Sequence, residues 1–225
     1  MNLHDEVTYD FARRARIGLS EAVLCEGKSV QQIQHILALA DGKGEPLLLT
    51  RLEAGVHDGL GEEFRRNIDF DPISRTGILG PFQAPTGPAS VAVVSAGTSD
   101  AAVVREASRT LAFHGEPADV IMDIGVAGLW RVLEKQAQLR AYRVVIVVAG
   151  MDGALFSVIG GLVGGLVIAV PAATGYGASR DGVTALNSAL SSCAPGIVVV
   201  NVGNGYGGAC AALRALRSGK GATHE

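Results

Sequence analysis

Between residues 91 and 217 the chain alternates five times between two kinds of segment. A short apolar run breaks off into glycine and small polar residues, and a stretch with helical periodicity follows. The runs are Val91–Val94, Val120–Ile124, Val144–Val148, Leu166–Val170 and Ile197–Val200. The helical stretches are Ser99–Phe113, Leu129–Leu139, Gly153–Leu162, Val183–Ser192 and Gly207–Leu216. A run that is apolar at every position belongs to a strand covered on both faces. Strands alternating with helices close into a parallel sheet with right-handed crossovers. The expected fold is α/β: a five-stranded, doubly wound, flavodoxin-like parallel sheet. On the Ser99–Phe113 helix, Val103, Val104, Ala107 and Leu111 form the inner face. There is no internal sequence repeat and no low-complexity tract.

The segment before that sheet reads differently. Phe11–Cys25 is expected as a first helix. Ser29 caps a second, with Val30, Ile33, Leu37 and Ala40 on one face. Leu47–Thr50 and Thr76–Leu79 are expected as short strands. Three prolines and two glycines in residues 80–90 mark a linker. The organisation expected is a small helical and α/β N-terminal domain over 1–80, a linker over 81–90, a catalytic domain over 91–217 and a disordered tail over 218–225.

Two function classes are excluded early. The formal net charge of −3 carries no nucleic-acid footprint. The only charge between Val144 and Ser179 is Asp152, so Ala154–Ala173 resembles a membrane span in hydropathy alone. Gly160, Gly161, Gly164, Gly165 and then Pro171 break it into a short helix and a short strand. The N-terminus has early acids and no apolar core, unlike a signal peptide. Three cysteines, Cys25, Cys193 and Cys210, make no disulfide framework and fit a reducing, cytoplasmic setting.

In a doubly wound sheet the ligand lies off the carboxyl ends of the strands. Every run ends there in similar sequence. The first loop holds Ser95, Gly97, Thr98, Ser99 and Asp100, and the second holds Gly125. The third holds Gly150, Asp152 and Gly153. The fourth holds Thr174, Gly175, Tyr176 and Gly177, and the fifth Asn201 and Asn204. Glycines at such turns let backbone N–H groups approach an anion, and the following helix adds its dipole. Hydroxyls in the first and fourth loops add donors. Glycine also simply makes tight turns, but five such loops on one edge favour a nucleotide or anion site. None is a dinucleotide-binding G-x-G-x-x-G with its distal acid, nor a Walker loop.

Asp152 is read in two ways: a carboxylate desolvated or aimed into a cleft, suited to acid–base work, or a helix cap. Cys193, in Ser-Ser-Cys-Ala-Pro-Gly, is either a small buried hydrophobe or a thiolate nucleophile. Cys25 and Cys210 lie on helix faces and are expected to pack. The five histidines, at 4, 35, 57, 114 and 224, avoid the strand-end loops, so no Ser-His-Asp arrangement or His/Cys metal spacing can be drawn.

The segment VSAGTSD resembles the Ser-Gly-x-x-Ser-Asp phosphate loop of the AIR carboxylases. The series DIGVAGL, VVIVVAGMDGAL, VIAVPAATGYGAS and LNSALSSCAPGIVVVNVGNGYGGA is similar to the LarB family within that superfamily, as is FARRARIGLSEAVLCEGKSVQQI near the start. The resemblance covers nearly the whole chain. The purine-pathway enzymes place a histidine in the loop that here holds Asp152. LarB enzymes carboxylate the pyridinium ring of nicotinic acid adenine dinucleotide at C5 and cleave its phosphoanhydride, releasing AMP. The product is a pyridinium dicarboxylate mononucleotide, the first precursor of the nickel-pincer nucleotide. In that family a cysteine adds to ring C4 and an acid handles the C5 proton. These positions match Cys193 and Asp152.

By the same resemblance the Gly97–Asp100 loop would hold phosphate oxygens, and Asp100 would bind a Mg2+ assisting anhydride hydrolysis. Carbon dioxide or bicarbonate is the expected second substrate, with no nucleic-acid or membrane partner. The Gly-rich helix Gly153–Leu162 is hard to cover within one chain, and the purine relatives are octamers, so a homo-oligomer is expected. Arg13, Arg14 and Arg16 contact phosphate or are solvated. Four departures bear on activity: Asp152 where LarB sequences mostly have Glu, Trp130 where His is common, Phe156 where Pro is common and Gly203 where Asp is common. Two alternatives stay open: a mutase acting on a carboxyaminoimidazole ribonucleotide, and a non-catalytic nucleotide-binding protein of the same fold.

Overall fold

The computed structural model describes residues 7–218. The tail expected over 218–225 lies outside them apart from Ser218, which ends the last helix. The chain forms two compact units, one ending at Ala84 and the other beginning at Pro85.

The first unit does not open on a long helix. Helix α1 covers only Arg13–Ile17 and is closed by Gly18 at φ 76°, whose N–H bonds to the Arg14 carbonyl. Residues Ala22–Leu24 then form strand β1, parallel to β2 (Leu47–Thr50). The apolar residues of 11–25 suggest one helix only if the period is carried across Gly18, which a left-handed terminator forbids. Helix α2 (Val30–Asp41) carries the expected cap: Ser29 and Gln32 satisfy each other's backbone N–H groups in a capping box. Its buried face is Ile33, Ile36, Leu37 and Ala40, with Val30 packed at the margin. Short helices α3 (Ala54–Asp58) and α4 (Glu62–Asn67) follow. Strand β3 (Ile68–Asp71), not expected from the sequence, pairs antiparallel with β4 (Thr76–Leu79), giving the order β1-β2-β4-β3. Cys25 is buried here, and burial pushes its thiol up to about 12, consistent with packing.

The second unit is the expected parallel sheet. Strands β5 (Val91–Ser95), β6 (Ala118–Ile121), β7 (Val144–Ala149), β8 (Leu166–Pro171) and β9 (Val198–Val199) run in the order β6-β5-β7-β8-β9. All four pairings are parallel. Each residue of β7 is buried, and successive residues serve opposite faces. Val145, Val147 and Ala149 join one cluster with Leu155, Phe156 and Ile159 of helix α8 (Ala154–Leu162) and with Ala185 and Ala189 of helix α9 (Val183–Leu190). Ile146 and Val170 instead lie against Gly208 of helix α10 (Gly205–Ser218). Helix α10 packs on helix α5 (Ala101–Phe113). The stretch between Ala154 and Ala173 is therefore a nine-residue helix and a strand, and among the described residues no helix is long and apolar enough to cross a membrane.

Several boundaries differ from the sequence reading. The stretch 129–139 splits at Lys135 into α6 (Leu129–Glu134) and α7 (Gln136–Leu139). Strand β6 starts two residues earlier than expected and stops before Asp123, whose φ of 59° cannot continue a strand. Strand β9, at one edge of the sheet, covers only two of the four residues expected. On α5 the buried face includes Glu106 and Thr110 beside Val104, Ala107 and Leu111. The Glu106 carboxylate accepts the Tyr206 N–H in the first turn of α10, where the helix dipole favours a negative charge.

Candidate active site at the strand ends

The sheet order changes direction between β5 and β7, and a doubly wound sheet opens a crevice at such a point. The loops that follow β5, β6, β7 and β8 interlock around it.

Ser95 closes β5 and is fully buried. Its hydroxyl accepts the Asp123 N–H at 3.2 Å and its carbonyl accepts the Ile124 N–H at 3.0 Å. Ser95 therefore ties the first loop to the second and does not face a ligand. Gly97 is extended, and Thr98–Asp100 make one 3-10 turn that runs into α5. The side chains of Thr98 and Ser99 are exposed at the start of that helix, where hydroxyls and backbone dipole both suit an anion. Asp100 points back inside, 3 % exposed. One oxygen accepts the Gly97 N–H at 3.0 Å and the other accepts the Thr174 hydroxyl at 3.0 Å. Burial raises the Asp100 carboxyl above its ordinary range, and these two hydrogen bonds pull it the other way without cancelling the effect.

The second and third loops come close enough to exclude side chains. A Cβ on Gly125 would lie 2.6 Å from the Ala96 carbonyl oxygen, and one on Gly150 would lie 2.1 Å from the Thr174 carbonyl oxygen. Both glycines are needed for contact between neighbouring loops. In the second loop, Arg131 bridges the carboxylate and carbonyl of Asp123. Trp130 beside it is 61 % exposed. In the third, the Met151 N–H donates to the Thr174 carbonyl at 2.8 Å. Asp152 then stands exposed, and its carboxylate accepts the Ala154 N–H at 3.0 Å, the first N–H of α8. The N-cap position itself belongs to Gly153, so Asp152 supports the first turn from one residue farther out, and it is exposed, not desolvated. Gly153 follows in a left-handed conformation as the residue before α8.

The fourth loop presents Gly175, Tyr176 and Gly177, with Tyr176 78 % exposed. In the fifth, the Asn201 and Asn204 side-chain oxygens accept the Val202 and Gly207 N–H groups at 2.9 and 2.7 Å. Their oxygens serve the backbone, which leaves the amide N–H groups for other partners.

Cys193 is exposed, so the commoner fate of a free cysteine, packing in the core, does not apply to it. It follows α9, in the loop that returns to the amino end of β9. Gly153 lies against Ala185, and the Ser157 and Ser192 hydroxyls are 2.7 Å apart. Counting four residues along α8 or seven along α9 puts Ser192 about 6 to 10 Å from the level of Gly153 along the helix axes. Cys193 and Asp152 thus flank the same pair of helices, α8 and α9, on one face of the sheet.

Asp100 is the carboxylate to which the resemblance assigns Mg2+. It is one carboxylate with both oxygens engaged, and among the described residues no group of three or more His, Cys, Asp and Glu side chains could hold an ion. The donor set fits a pin within the loop rather than a resident metal. Thr174, which the sequence reading counted only among hydroxyl donors, contacts both the first and third loops. Its signal in the sequence was a lone threonine among glycines and alanines.

Comparison with known proteins agrees with this architecture. Residues 2–81 match the LarB/PurE-like N-terminal domain and residues 90–224 match AIR carboxylase. An uncharacterised protein of Methanocaldococcus jannaschii is 34 % identical over 214 residues, covering 91 % of this chain and 82 % of that one. The chain belongs to the AIR carboxylase family, as a LarB-like member with a carboxylase-like function.

Proposed function

We propose that the protein carboxylates the pyridinium ring of nicotinic acid adenine dinucleotide at C5 and hydrolyses its phosphoanhydride, giving a pyridinium dicarboxylate mononucleotide and AMP. The observation that carries this reading is the exposed thiol of Cys193, in the Ser-Cys-Ala-Pro-Gly segment that resembles the LarB nucleophile.

The chemistry follows from the ring. A pyridinium cation is a poor nucleophile and does not attack carbon dioxide. Addition of the Cys193 thiolate at C4 forms a C–S bond and gives a neutral dihydropyridine, whose C5 is enamine-like. C5 then forms a bond to carbon dioxide. The Asp152 carboxylate takes the C5 proton, the C–S bond breaks, and the thiolate leaves as aromaticity returns. The cationic ring favours the thiolate form of the attacking cysteine. The Thr98 and Ser99 hydroxyls, at the amino end of a 13-residue helix, supply donors for phosphate oxygens. The shorter Asp side chain, where Glu is usual, sits farther from C5 by one methylene.

In this reading Cys193 of one copy serves the Asp152 of another, within the homo-oligomer that the family resemblance implies. Exposed apolar side chains support it: Leu190 and Val198 on the elements flanking Cys193, and Met151 beside Asp152.

The test is incubation with nicotinic acid adenine dinucleotide and 13C-bicarbonate, followed by mass spectrometry. The expected products are AMP and a mononucleotide carrying one labelled carboxylate. AMP without label would leave only a hydrolase, and neither product would remove the reading.

A further inference from the structure

We propose that Thr174 is a positioning residue that couples the phosphate-binding loop to the Asp152 loop through its hydroxyl and its carbonyl. The inference rests on the reading of the strand-end crevice given above and names a residue that reading does not use.

Three contacts converge on Thr174. Its hydroxyl donates to one Asp100 oxygen at 3.0 Å, and the other oxygen of that carboxylate holds the Gly97 N–H at 3.0 Å. Its carbonyl accepts the Met151 N–H at 2.8 Å. The absent side chain of Gly150 lets that carbonyl come within 2.1 Å of where a Cβ would be. The links join the ends of β5, β7 and β8 across the point where the strand order reverses. Gly97 stands at one end of this chain and Met151, followed directly by Asp152, at the other. Thr174 is exposed at the rim, while the carboxylate it holds is buried. The hydroxyl thus satisfies a carboxylate oxygen that would otherwise be left without a donor inside the loop, a costly state for a buried acceptor.

The two halves of the residue separate by mutation. Thr174→Val keeps the branched shape and the carbonyl contact with Met151, and removes only the hydroxyl. Thr174→Ser keeps the hydroxyl. With the dinucleotide as substrate, Thr174→Val is expected to raise KM about tenfold, in line with one lost hydrogen bond to a charged group, with a smaller change in kcat. Thr174→Ser is expected to stay within about twofold of the wild type in both, since the hydroxyl is retained. Binding of AMP and of inorganic phosphate, by calorimetry, is expected to weaken in the Val variant and not in the Ser variant. An unchanged KM in Thr174→Val, or equal losses in both variants, would overturn the coupling. So would a lowered Tm in Thr174→Val with KM unaltered. A wild type that binds AMP but does not carboxylate the dinucleotide removes the proposed function alone, and the AMP series still tests Thr174. A wild type that binds none of the three ligands overturns both.

Discussion

Asp100 is a carboxylate that the fold keeps for its geometry at an electrostatic cost. Buried, and held by Gly97 and Thr174, its carboxyl titrates above the ordinary aspartate range, with desolvation the larger cause. The folded state therefore favours the protonated form more than the unfolded chain does. That contribution to stability is complete below the unfolded value near 3.8 and is lost as pH rises through the raised folded one. An asparagine at 100 does not titrate. The Tm of Asp100→Asn is expected to gain on that of the wild type as pH increases from about 3.5 to 7, read by thermal unfolding across that range. A constant difference between the two proteins would mean that Asp100 is not desolvated. The exposed Cys193 and Asp152 differ in kind: neither is walled in, so their chemistry would come from what approaches them.

At the scale of elements, the strands were the most legible part of the sequence. Residues 144–149 and 166–171 are apolar throughout, and a segment so short and so apolar has little choice but a covered parallel strand. Ser29 announced its helix because a serine three residues before glutamine can satisfy two orphan N–H groups at once. The end of helix α1 is not legible because Gly18 takes a left-handed turn that apolar spacing does not reveal. Strand β3 is hard to read because Ile-Asp-Phe-Asp is only four residues long and half of it is aspartate, a residue depleted in strands. The five glycine-rich loops were legible as a group, and Asp100 and Asp152 as individuals. Their partners were not. That Ser95 turns inward and that Asp100 is held by Thr174 depend on contacts between loops far apart in sequence.

At the scale of the molecule, the proposal that Cys193 of one copy serves Asp152 of another makes a prediction about mixed assemblies. If each site takes its cysteine and its acid from different copies, two inactive variants complement each other. Equal amounts of Cys193→Ser and Asp152→Asn, unfolded and refolded together, are then expected to recover about a quarter of wild-type activity, the share of sites that draw both intact residues. A mixture as inactive as its parts would instead place both residues in one chain. The covalent step is open to a more direct measurement. Intact-mass spectrometry of the protein quenched during turnover of the dinucleotide should show a fraction of chains heavier by a substrate-derived pyridine nucleotide, with the added mass mapping to Cys193 and absent from Cys193→Ser, which should also form no labelled dicarboxylate. Full carboxylation by Cys193→Ser would contradict the account at its centre.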